Sequence, residues 1–88
     1  MDLEDLDPEA ALLAREIAYA LRRLDAAKHA TADVRVPALI QAMDTRARVR
    51  RILSWTKLDR LHETDILARL QELSDRIHAL RTKPQNEP

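Results

Sequence analysis

An unbroken three-and-four spacing of apolar residues runs through the first third of this 88-residue chain. An α-helix turns once in about 3.6 residues, so positions spaced in this way lie on one narrow stripe that a neighbouring helix must cover. The pattern therefore predicts helix-on-helix packing from the first turn onward. Its members are Leu3, Leu6, Ala10, Leu13, Ile17, Ala20, Leu24 and Ala27.

The composition favours an all-α chain. Glycine is absent, so tight turns and phosphate-cradling loops are costly to build. Leucine, alanine, arginine and glutamate are abundant, and all four are good helix formers. Cysteine is also absent, so no disulfide stabilises a core that is small for its surface area. Self-association is a common remedy for a domain of this size.

We predict three helices over about 8–28, 37–61 and 64–82, forming a dimeric helical bundle. Asp7 and Pro8 are typical of a helix start, with Leu3 and Leu6 folding back before it. Pro37 is expected to open the second helix and Thr64 to cap the third. Residues 1–83 form a single predicted domain, and 84–88 a frayed tail.

The second helix is apolar on two sides, a property typical of a helix that lies between neighbours. One side carries Val49, Ile52, Leu53 and Thr56, and the nearly opposite side carries Ala47, Leu58 and Leu61, with Trp55 at its edge. The pattern favours a bundle of more than two helices.

The apolar register of the third helix extends backwards without a slip, so residues 45–82 also fit one long helix. A break near His62–Glu63 is favoured, because Asp59 and Glu63 would repel each other one turn apart and a polar run with a cap lies there. The candidate helix–helix interface consists of Leu13, Ile17, Leu24, Ile66, Leu70, Leu73, Ile77 and Leu80. These stripes fit either the core of a single copy or, in part, a surface that another protein chain covers.

Formal net charge is zero, but the charges are unevenly placed. The candidate contacts for an anion or nucleic acid are Arg46, Arg48, Arg50, Arg51, Lys57 and Arg60, with Arg46, Arg50 and Lys57 predicted to share one stripe. Guanidinium groups bind phosphate oxygens, which makes nucleic acid one candidate partner. The other is the acidic start of the chain itself: Asp2, Glu4, Asp5, Asp7 and Glu9. Zero net charge favours this second reading.

No motif predicts catalysis, a metal site or a cofactor. Asp59–His62 and Asp75–His78 each share a helix face, but neither matches a zinc motif, and surface contacts are the expected outcome. Ser54 and Ser74 lie within helices and outside any nucleophile motif.

The expected function is therefore non-enzymatic. We predict a cytoplasmic adaptor or regulator that acts through protein–protein interaction and forms a homodimer, with an unidentified protein partner and no membrane segment. The alternative is a nucleic-acid-binding regulator that uses the basic segment 46–60.

Overall fold

A computed structural model of the chain describes residues 8–82, with Thr82 described by its backbone alone. Three helices follow one another: α1 (Pro8–Ala27), α2 (Ala32–Trp55) and α3 (Arg60–Thr82). Each helix packs against the other two. The predicted all-α, three-helix class is confirmed. The expectations for Leu3, Leu6, the Asp7 cap and the tail lie outside the described residues.

The core is built from unequal contributions. Large aliphatic side chains come from α1 and α3, whereas the buried face of α2 carries small side chains and one valine. Small residues let helix axes approach closely, so the leucine and isoleucine side chains of α1 and α3 fill the space between the helices. The buried residues of α2 are Ala38, Ala42, Thr45 and Val49.

Every residue of the candidate helix–helix interface lies in this core. The most exposed of the eight, Leu80, retains 8% of its accessible surface, and Ile17 and Leu73 retain none. One copy of the chain therefore covers its own apolar stripes.

The second helix begins earlier than predicted, at Ala32 rather than Pro37. The Thr31 carbonyl accepts the backbone N–H groups of Val34 (3.0 Å) and Arg35 (2.9 Å), and this starts the helix despite two β-branched residues. The Thr31 hydroxyl donates to Asp33, and this hydrogen bond holds the pKa of the Asp33 carboxyl below its usual value. A charged carboxylate in the first turn favours the helix start.

The break between the last two helices lies at residues 56–59, so the predicted break near His62–Glu63 is wrong. Thr56 adopts an extended conformation (φ −112°, ψ 132°) and ends α2. Asp59 then caps α3, because its carboxylate accepts the backbone N–H of His62 at 2.9 Å. Thr64, the predicted cap, lies inside α3 and donates its hydroxyl to the Arg60 carbonyl at 2.8 Å.

His62 completes the cap of α3. Its Nδ1 lies 2.8 Å from the second carboxylate oxygen of Asp59, and the imidazole is buried. The hydrogen bond from the backbone N–H of His62 is the main cause that holds the pKa of the Asp59 carboxyl below its usual value; desolvation opposes it, and the His62 side chain adds a smaller lowering effect. The Asp59–His62 pair is therefore a structural contact at a helix start.

Adjacent leucines provide a matched test of the core. Leu13→Ala is expected to lower the free energy of unfolding by about 2–5 kcal/mol, because it leaves a cavity where the side chain is 1% exposed. Leu12→Ala, at a position 53% exposed, is expected to change it by less than about 0.5 kcal/mol. Urea denaturation followed by circular dichroism measures both values, and equal effects would contradict the assigned core.

The cap of α3 is tested by Asp59→Ala against Thr64→Ala. Only Asp59→Ala is expected to lower the unfolding midpoint, because Thr64 caps no backbone N–H group. Since the folded-state pKa of Asp59 is lowered, its stabilisation is present above the unfolded-state pKa of about 3.9 and is lost as the pH falls through the folded-state value. Thermal melts from pH 7 to pH 2 should show the midpoint temperatures of Asp59→Ala and Thr64→Ala converging in acid. A difference between the two midpoints that stays constant over this range would contradict the assignment of Asp59 as the cap.

Candidate interaction surface

The four arginines in the middle of α2 point in different directions around the helix. Arg48 forms an ion pair with Glu16 of α1 at 2.8 Å. Arg46 turns the other way, and its Nη1 donates a long hydrogen bond to the Ser74 hydroxyl of α3 at 3.5 Å. Arg50 and Arg51 are exposed and form no ion pair within residues 8–81. Arg46 and Arg48 therefore point to opposite sides of α2.

The remaining members of the basic segment do not continue the helix. Lys57 lies in the non-helical connector and Arg60 is the first residue of α3. Arg46 and Arg50 lie one turn apart on α2 as predicted, but Lys57 does not continue their stripe, because α2 ends at Trp55 before it reaches the lysine.

The acidic start of the chain lies outside the described residues, apart from Glu9. Within the described part, the carboxylate that pairs with the basic segment is Glu16, whose side chain is 28% exposed. A second interhelical ion pair joins Asp25 of α1 to Arg76 of α3. Both pairs hold α1 to a neighbouring helix at the edge of the core.

A shallow groove of about 290 Å³ runs between α1 and α2. Arg15, Glu16, Tyr19, Gln41, Thr45 and Arg48 line it. Glu16 and Arg48 neutralise each other across it, and the guanidinium of Arg23 lies 5.8 Å from the centroid of the Tyr19 ring, within the range of a cation–π contact. These contacts account for much of the polar lining.

The most distinctive surface is the side of α2 that faces away from α1 and α3. Five residues spaced by four, three, four and four define it, and we call it the outer face of α2: Ile40, Asp44, Ala47, Arg51 and Trp55. All five are exposed, and at 100° per residue they lie within an arc of about 80°. Trp55 retains 69% of its accessible surface and Ile40 retains 62%. Leu61, 66% exposed, follows in the first turn of α3.

The sequence pattern predicted part of the outer face of α2. A second apolar side of α2 was predicted from Ala47 and Trp55, together with Leu58 and Leu61, and the helix was expected to lie between neighbours. Leu58 belongs instead to the connector, where it packs against the core, and Leu61 belongs to α3. Ile40, Asp44 and Arg51 were not assigned to that side, although they share the spacing. Within the described residues, no helix covers it.

Two further classes of site have no support in the described part of the chain. Residues 8–81 contain no group of three or more His, Asp or Glu side chains arranged to hold a metal ion. None of the three described helices is long and apolar enough to cross a membrane.

Comparison with protein families, with characterised proteins and with solved structures finds no significant match to this chain.

The Glu16–Arg48 ion pair is tested by a double-mutant cycle with Glu16→Gln and Arg48→Gln. We expect a coupling free energy of about 0.2–1 kcal/mol that decreases with added salt, because both side chains are partly exposed. Thermal or urea unfolding of the four proteins measures it. Zero coupling at low salt would show that the pair contributes nothing to the packing of α1 on α2.

Proposed function

We propose that this protein is a small, non-enzymatic interaction module, and that the outer face of α2 is the surface through which it binds protein. The observation that carries the proposal is the exposure of Trp55 and Ile40 on the helix face turned away from the core. An adaptor or regulator of this kind acts by presenting a shaped surface, without chemistry of its own.

The core is formed without these two residues. The buried side chains of the three helices cover one another, and neither Trp55 nor Ile40 contributes to them. Burying such a side chain fully against a partner is worth about 1.5–3 kcal/mol. Tryptophan is also the residue type most enriched where binding energy concentrates in protein interfaces.

The two residues do not stand alone. Arg51 and Asp44 lie between them, and Ala47 occupies the centre of the face. An apolar pair with charges between its members is typical of an interface that selects its partner as well as attracting it. Single apolar residues scattered over a protein surface are normal and would not by themselves indicate an interface.

A nucleic-acid function is less well supported. Phosphate binding by a helix is favoured when several basic side chains present one continuous surface. Here Arg46 and Arg48 turn to opposite sides of α2 and contact Ser74 and Glu16. Arg50, Arg51, Lys57 and Arg60 remain exposed, but they are divided among α2, the connector and α3 and do not continue one helical stripe.

Site-specific photocrosslinking tests the proposed function. A benzophenone amino acid is placed at Ile40 or Trp55, and at Leu12 as a control of similar exposure on α1. In the cells that naturally produce the protein, we expect covalent protein adducts from positions 40 and 55 and few or none from position 12. Adducts at equal yield from all three positions, or none at 40 and 55, would overturn the proposal.

A further inference from the structure

We infer that the protein bound by the outer face of α2 is a second copy of this chain, with the two α2 helices antiparallel across a two-fold axis near Ala47. The inference rests on the proposed function and names the partner of the same surface. It uses a face that the core leaves open, and not the leucine stripes, which are buried in the core.

The order of residues along the face carries the argument. Ile40 and Trp55 lie equally far from the midpoint between Ala47 and Arg48, and so do Asp44 and Arg51. In an antiparallel pair centred on that midpoint, residues equally far from it lie opposite each other. Each Asp44 then faces an Arg51 of the other copy, and each Ile40 faces a Trp55. The face is complementary to itself.

The opposite orientation is disfavoured by the same charges. In a parallel pair in register, Asp44 would face Asp44 and Arg51 would face Arg51, and like charges placed together across an interface are repelled. The pattern therefore selects one orientation as well as one partner.

Distances along the helix show why the charges do not satisfy each other within one chain. Asp44 and Arg51 are seven residues apart, or about 10.5 Å along the axis, which is beyond a direct ion pair. Neither side chain forms an ion pair within residues 8–81. Packed helices lie about 8–10 Å apart, and at that separation an arginine reaches a carboxylate on the facing helix.

Ala47 allows the two α2 helices to come close together. It lies beside the midpoint, is exposed and has the smallest side chain of the face. A small residue at the crossing point lets the two axes approach, so that the Ile40 and Trp55 side chains on either side make contact. The apolar ends and the central alanine together span about 22 Å of helix.

Charge reversal tests the pairing directly. Sedimentation equilibrium is expected to show a wild-type dimer. Asp44→Arg or Arg51→Asp alone should weaken self-association by about tenfold or more, because each creates two repulsive contacts in the symmetric pair. An equimolar mixture of the two variants should form a heterodimer at least as tightly as the wild type associates, since every charged contact is then attractive. Asp65→Arg, on an exposed face of α3, is the control and should leave the association constant unchanged.

A second measurement does not depend on the charge variants being folded. The chain has no cysteine, so Ala47→Cys introduces a single thiol close to the proposed axis. With oxidised glutathione, it should form a disulfide-linked dimer much faster than Leu12→Cys does, because the two Cα atoms near the axis lie within disulfide reach. Circular dichroism on each variant verifies the helical fold.

Several outcomes would overturn the second-copy inference. A wild-type chain that remains monomeric at millimolar concentration would do so, as would a mixture of the two charge variants that fails to associate. Equal rates of disulfide formation at positions 47 and 12 would also count against it. If crosslinks from Ile40 and Trp55 reach only other proteins, the interaction function survives and the second-copy inference fails, so the two failures are distinguishable.

Discussion

The structure depends on the packing of large aliphatic side chains from α1 and α3 against a face of α2 made of small ones. Ala38 and Ala42 bring the backbone of α2 close to its neighbours, and Leu13, Ile17 and Leu73 fill the space that results. Leu39, Met43, Ile52 and Leu53 of α2 pack at the margins of this core, whereas Ile40 and Trp55 of the same helix lie on the outside.

The turn between α2 and α3 decides which residues reach that outer side. Asp59 uses one carboxylate oxygen to cap the backbone of α3 and the other to contact the buried imidazole of His62. Leu58 packs against the core just before it. The connector thus ends α2 at Trp55 and leaves the indole at the end of the bundle, where it is accessible to a partner.

Electrostatic contacts refine the arrangement without creating it. Glu16 with Arg48 and Asp25 with Arg76 join α1 to its two neighbours at the rim of the core, where solvent weakens each pair. Polar contacts also hold the Arg46 and Arg48 side chains on opposite sides of α2. Once Arg46 and Arg48 turn toward α3 and α1, Arg51 is left on the outer face, opposite in charge to Asp44 two turns earlier.

Features of this fold that depend on residues close together in the sequence could be predicted from the sequence. Features that depend on residues from different helices could not. Residue periodicity alone determined that the chain is helical and that Leu13, Ile17, Leu73 and Ile77 lie on apolar stripes, because a helix repeats every few residues whatever surrounds it. Periodicity left residues 45–82 open between one helix and two. Tertiary structure decided the boundaries. Asp59 and Thr64 are both acceptable caps by residue type, and in the structure Asp59 accepts the His62 N–H while Leu58 packs against the core and His62 is buried. Tertiary structure also decided that the apolar stripes are covered within one chain, and that the outer face of α2 is left exposed. Whether an exposed residue meets solvent or another helix depends on where the neighbouring helices lie, and no local pattern contains that information.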